Sequence, residues 1–80
     1  MPSVIELRRL LDYAIETAWE MEEMDDLFNK NVRREREEFC GAVIIRASKI
    51  LHRAVSTNVD IYDLCKRRFA QAYAQRYVSA

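Results

Sequence analysis

The residues with the clearest chemical potential in this sequence are acidic side chains crowded into one stretch. Five carboxylates lie between positions 20 and 26, and another lies at Glu38. Glutamates three residues apart share one face of a helix, and helical bundles hold magnesium with carboxylates from facing helices. Glu20 and Glu23 have this spacing. Clustered carboxylates of this kind are candidate ligands for magnesium.

Other catalytic chemistry finds no support in the residue types. His52 is the single histidine, and its helical phase places it near a polar face. One histidine and two separated cysteines are too few for a transition-metal site, and no Gly-rich stretch exists to cradle a phosphate. Zinc, P-loop and dinucleotide sites are therefore excluded. Cys40 and Cys65 each fall on an apolar helix stripe, so we expect reduced structural thiols.

The acidic stretch ends a first helix, predicted over residues 4–28. Ser3 is placed to cap its start, and Glu6 completes a capping box. Glu22 and Asp25 fall on the apolar side of this helix, and we expect them to stay hydrated where its end overhangs the bundle. The apolar stripe at helical spacing consists of Val4, Leu7, Leu10, Leu11, Ala14, Ala18, Met21 and Phe28.

A second helix, predicted over residues 32–56, forms the centre of the fold. Ile45 lies opposite its main stripe, as expected for a helix that contacts neighbours on two faces. Gly41 interrupts the pattern at a cost of roughly 1 kcal/mol relative to Ala. The charged residues 33–38 are interpreted as a solvated face with local ion pairs. The stripe consists of Val32, Phe39, Val43, Ala47, Ile50 and Ala54, flanked by Cys40, Ile44 and Leu51.

A third helix, predicted over residues 60–77 with Asp60 as its N-cap, is amphipathic and basic. Its stripe is Ile61, Leu64, Cys65, Phe69 and Ala72. Single-stranded nucleic acid binds such basic and aromatic mixtures, but the acidic first helix and zero net charge argue against that function. The residues that would serve it are Lys66, Arg67, Arg68, Arg76, Tyr62, Phe69, Tyr73 and Tyr77.

Short turns make neighbouring helices antiparallel, so we predict an all-α, three-helix antiparallel bundle forming a single domain over residues 1–80. Residues 1–38 carry six basic and eleven acidic side chains, whereas residues 39–80 carry seven and two. This split favours pairing of an acidic helix with a basic one, within or between chains. Because so short a chain buries little apolar surface, we expect a homodimer or a partner-bound subunit.

The sequence begins without the pattern of a signal peptide. No apolar run approaches the roughly 20 residues that a membrane span needs. We therefore expect a cytoplasmic protein that does not enter a membrane.

Three segments, 20–28, 38–46 and 59–61, resemble the all-α nucleotide pyrophosphohydrolases of the MazG type. The resemblance spans about residues 16–76. It implies four carboxylates, as ExxE on one helix and ExxD on the next, that hold Mg²⁺ for cleavage of nucleoside triphosphates. It matches Glu20, Glu23 and Glu38 to three of these ligands, while Gly41 occupies the position of the fourth.

The function that these residues favour is a small regulator, inhibitor or adaptor without catalysis of its own. Apolar side chains off the stripes are the candidate protein interface, together with an acidic face on the first helix. Trp19 is the principal candidate, and we expect Trp19→Ala to weaken association while helicity persists. The apolar candidates are Ile5, Tyr13, Trp19, Met24, Leu27 and Ile45, and the acidic ones are Asp12, Glu16, Glu20 and Glu23.

Overall fold

The computed structural model describes residues 3–29, 33–56 and 59–77. Within these ranges the chain forms three helices that all pack against one another. They are α1 (Val4–Phe28), α2 (Arg36–Ala54) and α3 (Ile61–Tyr77).

Contacts between the helices fix their directions. Asp12 contacts Arg68 of α3, whereas Trp19, two turns further along α1, stacks on Tyr77 near the end of α3. The same Trp19 contacts Phe39 in the first turn of α2. Thus α1 and α3 run in the same direction, and α2 runs antiparallel to both. The predicted all-α three-helix antiparallel bundle is confirmed.

Two of the helix starts follow from local sequence. The Ser3 Oγ accepts a hydrogen bond of 3.2 Å from the backbone N–H of Glu6. At the start of α3, the Asp60 carboxylate accepts one of 3.1 Å from the backbone N–H of Asp63. Each bond satisfies a backbone donor that the first helical turn leaves free. Both predicted N-caps are confirmed.

The second helix is shorter than predicted. It begins at Arg36 instead of residue 32 and ends at Ala54, and Glu35 before it is extended without a side-chain cap. The reason lies in Arg34, whose side chain reaches back to the carboxylates of α1. A helical backbone at this point would carry that side chain away from them. The predicted stripe residue Val32 lies outside the described residues.

The hydrophobic core lies where the inner faces of the three helices meet, and side chains of α2 form the centre of that core. Phe39, Cys40, Ile50, Leu64 and Ala72 are partly buried against it. Among the described residues, the stripes predicted for α2 and α3 are confirmed except at Ala54, which is exposed. The buried apolar side chains are Leu11, Ala14, Ile15, Ala18, Trp19, Val43, Ile44, Ala47, Leu51, Ile61, Cys65 and Phe69.

The buried arc of α1 lies to one side of the predicted stripe. Val4 is 85% exposed and Phe28 is 80% exposed, whereas Trp19 is only 2% exposed. Because α1 contacts α2 on one side and α3 on the other, it buries an arc that reaches round to Ile15 and Trp19. The prediction that Trp19 is an exposed interface residue is therefore wrong.

Trp19 is instead the centre of an aromatic cluster that joins the three helices. Its ring lies 5.0 Å from that of Phe69 and 6.3 Å from that of Phe39, measured between centroids. Tyr73 and Tyr77 stack beside it, and the guanidinium of Arg76 lies 4.2 Å from the Trp19 ring centroid. Such aromatic and cation–π contacts add to the stabilisation from apolar burial.

Both cysteines are free, and burial raises the pKa of the Cys40 thiol and of the Cys65 thiol. They are therefore protonated and serve as packing groups. Among the described residues, no helix is both long enough and apolar enough to cross a membrane.

Candidate interaction surface

The inner face of α1 carries a buried carboxylate between two arginines. Glu22 is 5% exposed, and its Oε1 accepts a hydrogen bond of 2.7 Å from Nη1 of Arg34. Its Oε2 accepts another from Nε of Arg46, a residue of α2. Arg34 also donates to the backbone oxygen of Glu22 at 3.1 Å. Both carboxylate oxygens are thus paired with cations.

Two further carboxylates complete this ion-pair cluster. The Asp26 Oδ1 lies 2.7 Å from Nε of Arg34, and the Asp25 Oδ2 lies 2.9 Å from Nη2 of Arg46. Each guanidinium therefore bridges two acids of α1. The expectation that Glu22 stays hydrated is wrong because these arginines supply the partners that burial requires. Asp25 keeps much of its exposure, with 61% of its side chain accessible.

The electrostatics of Glu22 follow from this arrangement. Burial alone would raise the pKa of the Glu22 carboxyl, but hydrogen bonds and charge attraction from Arg34 and Arg46 outweigh burial and lower its pKa. Glu22 is therefore ionised at neutral pH and fully engaged. It is a structural anion with no proton or free oxygen to offer to a reaction.

The three carboxylates that the MazG resemblance matches do not converge. Glu20 and Glu23 are exposed on the side of α1 away from the core, and Glu38 is exposed on the outer side of α2. Among the described residues, no three His, Cys, Asp or Glu side chains come together closely enough to hold a metal ion. In this arrangement Glu20, Glu23 and Glu38 therefore do not form a magnesium site.

The basic side chains of α3 are largely used within the chain. Arg68 donates to Asp12 at 2.6 Å, and Arg67 pairs with Asp63 at 3.0 Å. Arg76 lies over Trp19, and Phe69 is buried. A nucleic-acid strand would need these cations and rings to be free, so the arrangement does not favour that function.

One side of α1 is left without a neighbouring helix, and most of the predicted interface residues lie there. Tyr13 is 62% exposed, Met24 56% and Leu27 66%. At about 100° per residue, all members of the set fall within one half of the helix surface, opposite the buried arc. We call this the α1 outer face: Ile5, Tyr13, Glu16, Glu20, Glu23, Met24 and Leu27.

The acidic members of the α1 outer face are unengaged. Within the described ranges, every ion pair uses carboxylates other than Glu16, Glu20 and Glu23. The α1 outer face thus combines exposed apolar side chains with free negative charge. Asp12 is separate because it binds Arg68, and Ile45, 49% exposed, belongs to a different surface on α2.

Sequence reasoning missed the two arginines of the ion-pair cluster. Arg34 was assigned to a solvated charged face, and Arg46 to no role. The available signal was the helical phase of Glu22, because a carboxylate on an apolar stripe requires a cationic partner. The phase does not indicate which cation approaches it.

Comparison with known proteins adds no relative: no family model, no curated protein and no solved structure matches the chain. Function must therefore be argued from the residues and their arrangement. The resemblance to the pyrophosphohydrolases stays a prediction.

Proposed function

We propose that this protein is a small non-catalytic interaction protein, a regulator, inhibitor or adaptor, that binds a protein partner through the α1 outer face. The supporting observation is the exposure of Tyr13, Met24 and Leu27 beside three exposed glutamates that form no ion pair with any residue that the structure describes. Aromatic and Met side chains are enriched at interfaces, and apolar side chains that are grouped on one face favour a partner more than scattered ones do.

The chemistry of the α1 outer face defines the partner. Its apolar residues fit a shallow apolar groove, since a helix docks into a groove through anchors three, four and seven residues apart. Met24 and Leu27 are three residues apart, and Tyr13 lies on the same face eleven residues before Met24, with Glu16 and Glu20 between them. The glutamates require a basic rim, which would steer the encounter and make it sensitive to salt. The mechanism is occlusion or bridging of that basic partner.

Photo-crosslinking tests this proposal directly. A photoreactive residue at position 24, in cells that produce the protein, should crosslink a discrete partner, whereas the same residue at position 62 should not. Position 62 is a suitable control because Tyr62 is 47% exposed on α3. Binding of the isolated partner should weaken at least about tenfold in Leu27→Lys, the scale of one lost interface anchor, and stay unchanged in Tyr62→Lys.

Removal of charge separates the acidic contribution from the apolar one. Glu16→Gln, Glu20→Gln and Glu23→Gln together should reduce the salt dependence of binding while the helix content stays constant. Equal crosslinking from positions 24 and 62, or binding that does not respond to ionic strength, would contradict the proposal. Stoichiometric uptake of Mg²⁺ in calorimetry, lost in Glu20→Gln, would replace it with the pyrophosphohydrolase alternative.

A further inference from the structure

The outer side of α2 is a second surface that neither the fold nor the proposed partner uses. Ile45 projects there with 49% exposure, beside Ala42. Glu38 and Lys49 lie on the same side, one toward each end of the helix, and both are exposed. Within the described residues, neither forms an ion pair. This α2 outer face is therefore an apolar centre between two free, opposite charges.

A groove of about 380 Å³ runs along the edge of the α2 outer face toward α1. It is lined by Ala42, Ile45 and Lys49 on one side and by the Glu22–Arg46 ion pair on the other. Met21, 41% exposed, contacts Arg46, with its Sδ 3.8 Å from Nη1. The groove thus combines the apolar side chains of Ala42 and Ile45 with Lys49, which has no ion pair among the described residues, and with an ion pair that is already formed.

The chain exposes more surface than a compact monomer of its size. The chain exposes 6200 Å², whereas a compact monomer of 9.5 kDa exposes about 5,000 Å². Its radius of gyration is 13.2 Å, against about 11.6 Å for a compact chain of this length. The excess surface is of the order that one copy contributes to a standard interface, about 800 Å² per partner.

The order of residues along α2 identifies the occupant. Glu38 and Lys49 lie at equal distances from a point midway between Ala42 and Ile45. If a second α2 crosses antiparallel about a twofold axis at that point, Glu38 faces the second copy's Lys49, and Ala42 faces its Ile45. The twofold repeats both contacts, as isologous interfaces require. An unrelated partner would have no need for this symmetry.

Gly41 fits the same arrangement. A Cβ placed on it would meet nothing within 4 Å among the described residues, and its φ is not positive. Neither intramolecular packing nor backbone conformation therefore requires glycine there, although glycine weakens a helix. Absence of a side chain beside Ala42 lets a second helix approach closely.

We infer that a second copy of this chain packs on the α2 outer face, forming a homodimer through antiparallel contact of the two α2 helices. This interface lies on a different helix from the α1 outer face, so the dimer leaves both copies of that face open. The dimer would present two partner-binding faces, and its existence is independent of the proposed function.

A charge-swap series in sedimentation equilibrium tests the dimer. Glu38→Lys alone and Lys49→Glu alone should each raise the dimer dissociation constant about tenfold, because each places like charges opposite one another twice. The double variant restores opposite charges at both pairs and should return the constant to near the wild-type value. Neither residue has an intramolecular ion pair, and circular dichroism verifies that each variant folds.

Ile45→Lys should abolish the dimer, while the control Tyr13→Lys, at a position 62% exposed on α1, should keep it. Leu27→Lys, on the α1 outer face, should also keep it. A monomer at the highest soluble concentration would overturn the inference. So would a dimer whose constant the single swaps leave unchanged, or one that the double swap fails to restore.

Discussion

The two sides of α1 carry similar residue types in opposite circumstances. On the inner side, Glu22 is buried between two arginines, and Trp19 lies in an aromatic cluster. On the outer side, Glu23 and Tyr13 are exposed, and Glu23 forms no ion pair within the described part of the chain. The comparison teaches that residue type alone does not separate structural groups from interaction groups. The number of neighbouring helices separates structural groups from interaction groups, because it determines which part of the α1 surface is covered.

Substitution of one aromatic residue on each side of α1 should give the largest difference in stability between the two sides. We expect Trp19→Ala to reduce the free energy of unfolding by about 3–5 kcal/mol, since a large buried ring is lost and a cavity remains. Tyr13→Ala on the outer side should change it by less than about 0.5 kcal/mol. Urea denaturation followed by circular dichroism, at one fixed protein concentration, measures both. A stable, fully helical Trp19→Ala protein would contradict the core position of this residue.

The two neighbouring glutamates give the next largest contrast. Glu22→Ala leaves Arg34 and Arg46 without their shared partner, and we expect a loss of about 2–3 kcal/mol. This lies below the full cost of about 3–5 kcal/mol for breaking a buried pair, because water reaches part of both guanidinium groups. Glu23→Ala, one residue along, should be within about 0.5 kcal/mol of wild type. Fluorescence of the single tryptophan reports unfolding of both, and equal losses would show that the cluster contributes nothing specific.

The pH dependence of stability tests the role of buried Glu22 in the same contrast with exposed Glu23, and its expected effect is smaller. The pKa of Glu22 is lower in the folded protein than its ordinary value of 4.5. Its ion pairs therefore contribute fully above pH 4.5 and are lost as the pH falls from there through the folded-state pKa. The stability difference between wild type and Glu22→Gln should shrink over that acidic range. A difference that stays constant down to the lowest pH would argue against ionised Glu22.

Much of the fold could be predicted because its signals are local. Helical spacing of apolar residues identified three helices, and Ser3 and Asp60 marked two of their starts through hydrogen bonds that span three residues. Exposure of Ile45 and of most of the α1 outer face also followed from helical phase. The candidate surface was therefore largely visible in the sequence, although its binding function is a proposal.

The remaining features depend on contacts between residues far apart in the chain. Arg46 is 24 positions from Glu22, and Arg68 is 56 positions from Asp12, so no local pattern links either pair. The start of α2 moved to Arg36 because Arg34 is held by α1. Trp19 was predicted to be exposed because the predicted stripe of α1 faces only one neighbouring helix. The stripe omits the part of the α1 surface that the second neighbouring helix covers.

The sequence by itself determined the three helices, the N-caps of α1 and α3 and the uneven distribution of charge, because backbone hydrogen bonding and helical periodicity act over a few residues. The tertiary structure alone decided which carboxylate became a buried ion pair, which aromatic ring entered the core and which faces stayed open. Those outcomes depend on the angles at which α2 and α3 pack on α1, and such angles are set by side chains that meet only after the chain has folded.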